Sequence, residues 1–377
     1  MAASSTVSLP YTPGLEGIVA GETAVSTVED GLRYRGYAVG DLCKHATFDE
    51  VAYLLLHGEL PNSQELQAFL ERIAAARQLP EAVVAMLTAM PKDAPPLDVL
   101  RTAVSMLAAW DPDAGDHSAA ANRRKAERLL ARMPLVIAAH HRLQLGLPVV
   151  EPRPVQTHAG SFLYLLRGTQ SSPEEVRALD VSLTLYAEHE FNASTFTARV
   201  IVSTQSDLYS GVVGAIGALK GPLHGGANEK VMGVLIEAGG PATAEQWIVD
   251  SLAKKARIMG FGHRVYKAGD VRAGILKEYA QAAAKTPELQ AWEDTAAIIE
   301  RIMAEKKNMF PNLDWPAGRL YHAMNLAIPL YTPMFAMSRI AGWAAHIIEQ
   351  TENNRLIRPR SNYTGPEARE VKPIAER

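Results

Sequence analysis

The sequence predicts an all-α protein with a small β meander near its N-terminus, and three observations make that prediction. Helix-starting signatures recur: Thr47-Phe48-Asp49-Glu50, Asn62-Ser63-Gln64-Glu65, Ser172-Pro173-Glu174-Glu175 and Thr243-Ala244-Glu245-Gln246. In each, a short polar side chain can take one orphan N–H while the acid or amide three residues later reaches back to another. Behind the second signature, Leu66, Phe69, Leu70 and Ile73 fall on one helical face. Finally, 23 prolines and 27 glycines punctuate segments of helix length, and no alternation of strand and helix patterns intervenes.

Taken in order, the chain first shows three short β-prone runs, Leu15 to Val19, Thr23 to Val28 and Leu32 to Tyr37. Ala20-Gly21-Glu22 and Glu29-Asp30-Gly31 separate them with turn chemistry, so a meander packed on the helical body is expected. The helix opened by Thr47 continues through Val51 to Leu56 and is stopped by Gly58 and Pro61. Pro173 occupies the first helical position after Ser172, where its missing N–H costs nothing. Two domains are expected, with boundaries near Lys220-Gly221-Pro222 and near Gly318. Residues 1–220 would form the first part of a large domain and 221–318 a small one. Residues 319–377 would return to the large domain and end in a polar arm from Arg355.

Composition narrows the function. The chain has 377 residues, 47% of them hydrophobic, enough for a large core. Its 38 basic and 41 acidic residues leave a net charge of -3, and nothing global points to nucleic acid. Cys43 is the single cysteine, which excludes a disulfide framework and a cysteine-based metal site. No HExxH motif or paired ligand spacing is present, so no metal is expected. Met1 to Pro10 lacks the basic flank and apolar core of a secretory signal. No apolar run approaches the roughly 18 residues a membrane span needs, so a soluble, cytoplasmic protein is expected.

The one basic concentration is local. Lys254, Lys255, Arg257, Arg264, Lys267, Arg272 and Lys277 stand against one acid, Asp270, around Gly260-Phe261-Gly262-His263. Such a loop can bring backbone N–H groups and an imidazole close to an anionic ligand, and Arg272 can grip a carboxylate bidentately. It reads equally well as a solvated basic helix with a glycine turn. A dinucleotide fingerprint fails, because the third glycine and the strand-then-helix context are missing. Other clusters are Glu188 to Thr195, with His189 before small polar residues, and Gly221 to Glu229, with His224 at the entry to a helix near Ala227. A histidine near a helix N-terminus tends to stay neutral. In Phe310-Pro311-Asn312-Leu313-Asp314-Trp315, a carboxylate sits between an aliphatic and an aromatic residue, where desolvation would raise its basicity. Ser338 to Trp343 and Leu356 to Arg360 complete the set. Taken singly, Asp314 could be a turn acid and Arg339 a structural ion pair. His140, His141 and His346 read as satisfied core histidines.

Together the six clusters resemble the citrate synthase family over about Gly14 to Gly365, carried by His-x-x-Asn-Ala-Ser-Thr, Gly-Pro-Leu-His-Gly-Gly-Ala-Asn-Glu, Gly-Phe-Gly-His-Arg-Val-Tyr-Lys, Pro-Asn-Leu-Asp, Arg-x-x-Gly-Trp and Arg-Pro. The resemblance implies a two-domain helical homodimer that condenses an acyl-CoA with oxaloacetate, with no permanently bound cofactor. It implies that Asp314 removes a methyl proton, His224 hydrogen-bonds the thioester oxygen and His263 polarises the oxaloacetate ketone. His189, Arg272 and Arg339 correspond to oxaloacetate ligands, and Arg358 to the arginine given by the partner subunit. Ile258, Gly260, Gly262 and Lys267 fall where the family holds coenzyme A.

Several departures stand out. Val271 replaces the usual proline before Arg272, which would loosen that arginine, and Pro95 stands where histidine is common. Pro316-Ala317-Gly318 after the acid is similar to 2-methylcitrate synthases and suggests room for one more methyl group, so acetyl-CoA leads with propionyl-CoA as the alternative. A catalytically silent helical binding or assembly protein is a weaker alternative. The resemblance starts almost at the N-terminus, without space for the extra domain of NADH-inhibited hexamers, and a dimer is the expected form.

Overall fold

The computed structural model describes residues 11–154, 156–262, 266 and 269–377. Its sheet consists of β1 (Ser26–Thr27), β2 (Arg33–Tyr34) and β3 (Tyr37–Ala38), antiparallel in the order β1-β2-β3. Ten helices follow in the first half: α1 (Val39–His45), α2 (Phe48–His57), α3 (Ser63–Ala76), α4 (Glu81–Ala89), α5 (Pro96–Leu107), α6 (Ala119–Gln144), α7 (His158–Arg167), α8 (Pro173–Tyr186), α9 (Ala193–Val202) and α10 (Leu208–Leu219). Then come α11 (Ala227–Ala238), α12 (Pro241–Ala253), α13 (Val271–Ala283), α14 (Pro287–Lys307), α15 (Asp314–Ala323) and α16 (Tyr331–Glu352). The architecture is all-α with a minor sheet.

Local sequence explains most starts. Thr47, Asn62 and Ser172 each form a capping box, with Glu50, Glu65 and Glu175 closing it. Gly58 ends α2 in the left-handed conformation. The fourth expected start is displaced: α12 begins at Pro241 after Gly240, and the Thr243 hydroxyl donates instead to Ala238 O at 2.5 Å. Proline at the first position and the end of α11 together override the Thr243 signature. The expected first strand is also absent. Pro13–Leu15 forms a short 3₁₀ turn, and the stretch beyond it runs along a cleft without a β partner.

α16 is the central element. Every residue from Tyr331 to Ile348 is buried, so this stretch of the helix has no solvent face. It packs against α2, α5, α6, α8, α9, α10 and α11. A Cβ at Gly342 would overlap Ala187 O and Glu188 Oε2, and glycine there lets α16 approach the end of α8. Among the helices from α11 to α15, α12 packs on α14 and both α11 and α13 on α15, while α13 also reaches α1 and α8. Residues 220–226 separate α10 from α11, and position 318 falls inside α15. His140 and His346 are buried and His141 half-buried. Beyond Arg355 the chain is mostly exposed. No helix among the described residues is long and apolar enough to cross a membrane.

The small sheet is tied to the end of α8. Tyr34 is fully buried, its hydroxyl lies 3.1 Å from Thr184 O and 3.0 Å from Glu188 O, and it accepts from Glu188 N at 3.3 Å. Ser26 Oγ donates to Glu188 Oε1 at 2.9 Å. Replacing Tyr34 by Phe strands these backbone groups and should lower stability by about 1–3 kcal/mol. Urea unfolding with an unchanged m-value should show it as a lower midpoint; an unchanged midpoint would mean the sheet is not anchored this way.

Candidate active site

Two loops are stitched together beside α15. Gly262 N donates to Phe310 O and Asn312 N to Gly260 O, both at 2.9 Å, around an isolated antiparallel bridge between Phe261 and Pro311. Asn312 Nδ2 donates to Gly262 O at 3.1 Å, while its Oδ1 accepts from Asp314 N at 3.1 Å. One asparagine thus joins the basic loop to the start of the helix that carries the acid. Gly260 has φ +87° and a Cβ there would lie 2.8 Å from the Trp315 ring, so both conformation and space demand glycine. His263 and Lys267 lie outside the described residues.

These loops border a cleft of about 1100 Å³. His189, His224, Ile258, Gly260, Gly262, Arg272, Asp314 and Arg339 all line it, so residues up to 150 positions apart in sequence converge there. The segment from Gly14 to Gly21 forms another wall. Arg358 does not line the cleft and is exposed. No cluster among the described residues could hold a metal ion.

Asp314 opens α15 with its carboxylate deep in the cleft. Burial pushes its pKa up to about 6, against the pull of a hydrogen bond from Tyr186 and the charges of Arg272 and Arg339. The Tyr186 hydroxyl donates to Asp314 Oδ1 at 2.7 Å. Above about pH 6 this group is therefore an ionised base in a poorly solvated place.

His224 stands at the mouth of α11. Burial and the Arg339 charge lower its pKa to about 4, which keeps the imidazole neutral. Its Nε2 lies 2.8 Å from Ser194 Oγ, which accepts from Trp343 Nε1 at 3.0 Å and donates to Asn192 Oδ1 at 2.8 Å. Asn192 Oδ1 is itself fixed as the cap of α9, accepting from Thr195 N. The serine has one proton for two acceptors. Giving it to His224 leaves the ring proton on Nδ1.

Two buried guanidinium groups face the same space. Asp270 caps α13 through Arg272 N and holds Arg272 Nε and Nη2 at 3.0 and 2.8 Å. Val271 is half exposed at the first turn, and the Asp270 contacts hold Arg272 without the proline that the sequence comparison favoured. Arg339 Nε donates to Tyr186 O at 2.6 Å, its guanidinium lies 4.7 Å from the Phe335 ring centre, and its Nη1 is buried without a hydrogen-bond partner. Burial lowers its pKa to about 10, still far above neutrality. His189 is buried with its ring edge-on to Tyr266 at 5.5 Å.

The structure corrects one expectation. Trp315, Pro316, Ala317 and Gly318 are buried and line no part of the cleft. A Cβ at Gly318 would meet Val231 of α11 and Asn228 O, so glycine there lets α15 pack closely on α11. Sequence reasoning missed Tyr186 and Phe335, and held Ser194 only within a motif, without a role. Phe335 was legible as the residue one turn before Arg339. Tyr186 reads only as the end of an apolar helix.

The fold and cleft define an all-helical protein with a half-buried acid, a neutral imidazole and paired arginines converging from separate elements. The profile described as "Citrate synthase, C-terminal domain" matches residues 14–360. The chain is 47% identical over 368 residues to "Citrate synthase 2" of Bacillus subtilis, covering 97% of this chain and 99% of that one. It is also 47% identical over 359 residues to the "2-methylcitrate synthase" of Mycobacterium tuberculosis, covering 94% and 91%. The citrate synthase of Thermoplasma acidophilum, solved as a ternary complex with carboxymethyl coenzyme A and oxaloacetate, superposes with a TM-score of 0.91 at 37% identity, covering 97% of this chain and 98% of that one. The chain belongs to the citrate synthase family. It is a condensing acyltransferase.

Replacing Gly260 by Ala forces a strained φ and a clash with Trp315, at a cost of about 1–3 kcal/mol. The melting temperature should fall by several degrees, and activity should fall further than stability explains, because the loop turns at this residue. Unchanged activity in the folded variant would separate the loop from the site.

Proposed function

We propose that the protein condenses acetyl-CoA with oxaloacetate and water to give citrate and free coenzyme A. The observation that carries this reading is the shared cleft: a carboxylate with a pKa of about 6, a neutral histidine and two buried arginines. A thioester methyl is a weak carbon acid, so its deprotonation needs a desolvated base with a hydrogen-bond donor at the developing enolate oxygen. Asp314 takes the methyl proton and the C–H electron pair moves into a C=C bond. His224 donates through Nδ1–H to the thioester oxygen, with the Ser194 hydroxyl turned to hydrogen-bond its Nε2. The enol carbon then attacks the ketone carbon of oxaloacetate: the C=C pair forms the new C–C bond, the thioester C=O re-forms, and the ketone oxygen takes its π pair and a proton to become the hydroxyl. The carboxylates of oxaloacetate pair with Arg272 and Arg339, with His189 beside them, and His263 polarises the ketone. Water cleaves the thioester C–S bond and coenzyme A leaves.

Ile258, Gly260 and Gly262 offer backbone groups to coenzyme A, with Lys267 for its phosphates. Arg358 lies on an exposed arm away from its own cleft, and we place it in the partner's site of a homodimer. No resident cofactor is required. The Thermoplasma acidophilum structure supports the ligand pair, since it holds a coenzyme A derivative and oxaloacetate on the same fold.

A second reading uses propionyl-CoA and makes 2-methylcitrate. It is favoured by one observation: relatives carrying the two names stand at the same 47% identity. A single methylene in an apolar pocket discriminates by about 1–3 kcal/mol, roughly 10–200-fold. The ratio of kcat/KM for the two thioesters at saturating oxaloacetate, followed by thiol release, should favour acetyl-CoA by a modest margin. A strong preference for propionyl-CoA would assign the second reading, and no thiol release from either would defeat both.

Asp314→Asn keeps shape but accepts no proton, and kcat should fall on the order of 10²–10⁴-fold with oxaloacetate affinity retained. Near-normal turnover would move the base elsewhere.

A further inference from the structure

Tyr186 is the last residue of α8 and touches both halves of the cleft. Its hydroxyl donates to Asp314 Oδ1 at 2.7 Å, and its carbonyl accepts from Arg339 Nε at 2.6 Å. Its ring packs on Phe335 with centres 4.5 Å apart, and Phe335 in turn lies under the Arg339 guanidinium. The side chain is 2% exposed, and the backbone on either side is held by Tyr34 through Thr184 O, Leu185 O and Glu188 O. The residue has little freedom to move away from either partner.

We propose that Tyr186 is the positioning residue of the reaction: its hydroxyl occupies Asp314 Oδ1, leaving Oδ2 as the oxygen that receives the proton, while its carbonyl sets Arg339 at a fixed distance from that oxygen. This rests on the reading of Asp314 as the base. The two substrates must meet with reacting carbons close and aligned, and errors of about 1 Å are costly in rate. One residue bonded to the base by its side chain and to an anion-binding arginine by its backbone fixes that separation without intervening flexible parts.

The hydroxyl also tunes the base. A donor bonded to the ionised carboxylate favours the charged form and opposes the effect of burial. Burial and the Asp314 charge hold the Tyr186 phenol well above its ordinary range, so it remains a donor throughout the working pH. Among the described residues, the other groups around Asp314 are Asp270 and Arg272 at the start of α13, Tyr321 on α15 and Arg339 on α16, with His224 across the cleft. Among these groups Tyr186 is the one that donates a hydrogen bond to the Asp314 side chain.

The sign follows directly. Without the hydroxyl, Asp314 loses a bond that stabilises its ionised form and its pKa rises above about 6. In Tyr186→Phe the acid limb of kcat/KM for the thioester should move up by about one pH unit, and kcat at neutral pH should drop about 10–100-fold. KM for oxaloacetate should stay within about threefold, because the carbonyl that holds Arg339 is retained. Site-specific 3-fluorotyrosine at 186, with a more acidic phenol and the same shape, should move the limb to lower pH. Opposite shifts in the two variants support the proposal. An unmoved limb in both, or equal losses of rate and oxaloacetate affinity without a shift, overturns it. If Tyr186→Phe does not fold, as read by thermal unfolding, the fluorotyrosine variant alone decides by the presence or absence of its shift. A wild-type protein that releases no thiol would defeat the functional reading instead.

Discussion

A carboxylate and two guanidinium groups share one poorly solvated cleft, and much of the surrounding structure serves to hold them apart and in place. Buried charges are tolerated only when other groups fix and partly neutralise them. Arg272 is clamped by Asp270 at the cap of α13, and Arg339 by the Tyr186 carbonyl and the Phe335 ring. The negative charge of Glu188, bonded to Ser26 and His346, helps keep Arg339 ionised. What remains is Asp314, raised by burial and restrained by its neighbours, with a pKa close to the pH at which a base is most useful.

This demand reaches into the scaffold. α16 has to be buried on all sides so that Arg339 emerges from a dry helix, and Gly342 lets that helix come up against α8. The sheet is small because its task is local: Tyr34 and Ser26 secure the turn between α8 and α9, from which Tyr186, His189 and Ser194 are presented. Asn312 performs the corresponding task on the opposite wall, linking the glycine loop to the first turn of α15. Local stitching by hydrogen bonds is what turns separate helices into one constellation.

Much of this was legible in the sequence because the signals are local. The capping boxes at Thr47, Asn62 and Ser172 act over three residues, and each appears where the spacing predicts. The Thr243 signature failed because a proline two residues earlier starts the helix first, and the Leu15 to Val19 run failed because β propensity without a partner strand makes no strand. The residues of the cleft were named by their motifs, yet their distances were not, since contacts such as Tyr186 to Asp314 span 128 positions. The misreading of Pro316 to Gly318 has the same origin. Adjacency to Asp314 in sequence suggested adjacency to the cleft, whereas these residues are buried away from it and Gly318 meets α11.

The account stands on carbon-acid chemistry at Asp314, and isotopic labelling of the acyl methyl tests it most directly. Acetyl-CoA carrying three deuteriums on its methyl carbon, supplied with oxaloacetate, should give free coenzyme A and citrate that retains two of them, because one leaves with the base. Release of coenzyme A together with acetate that keeps all three would mean that the thioester is hydrolysed without any C–H bond being broken, and would contradict the account.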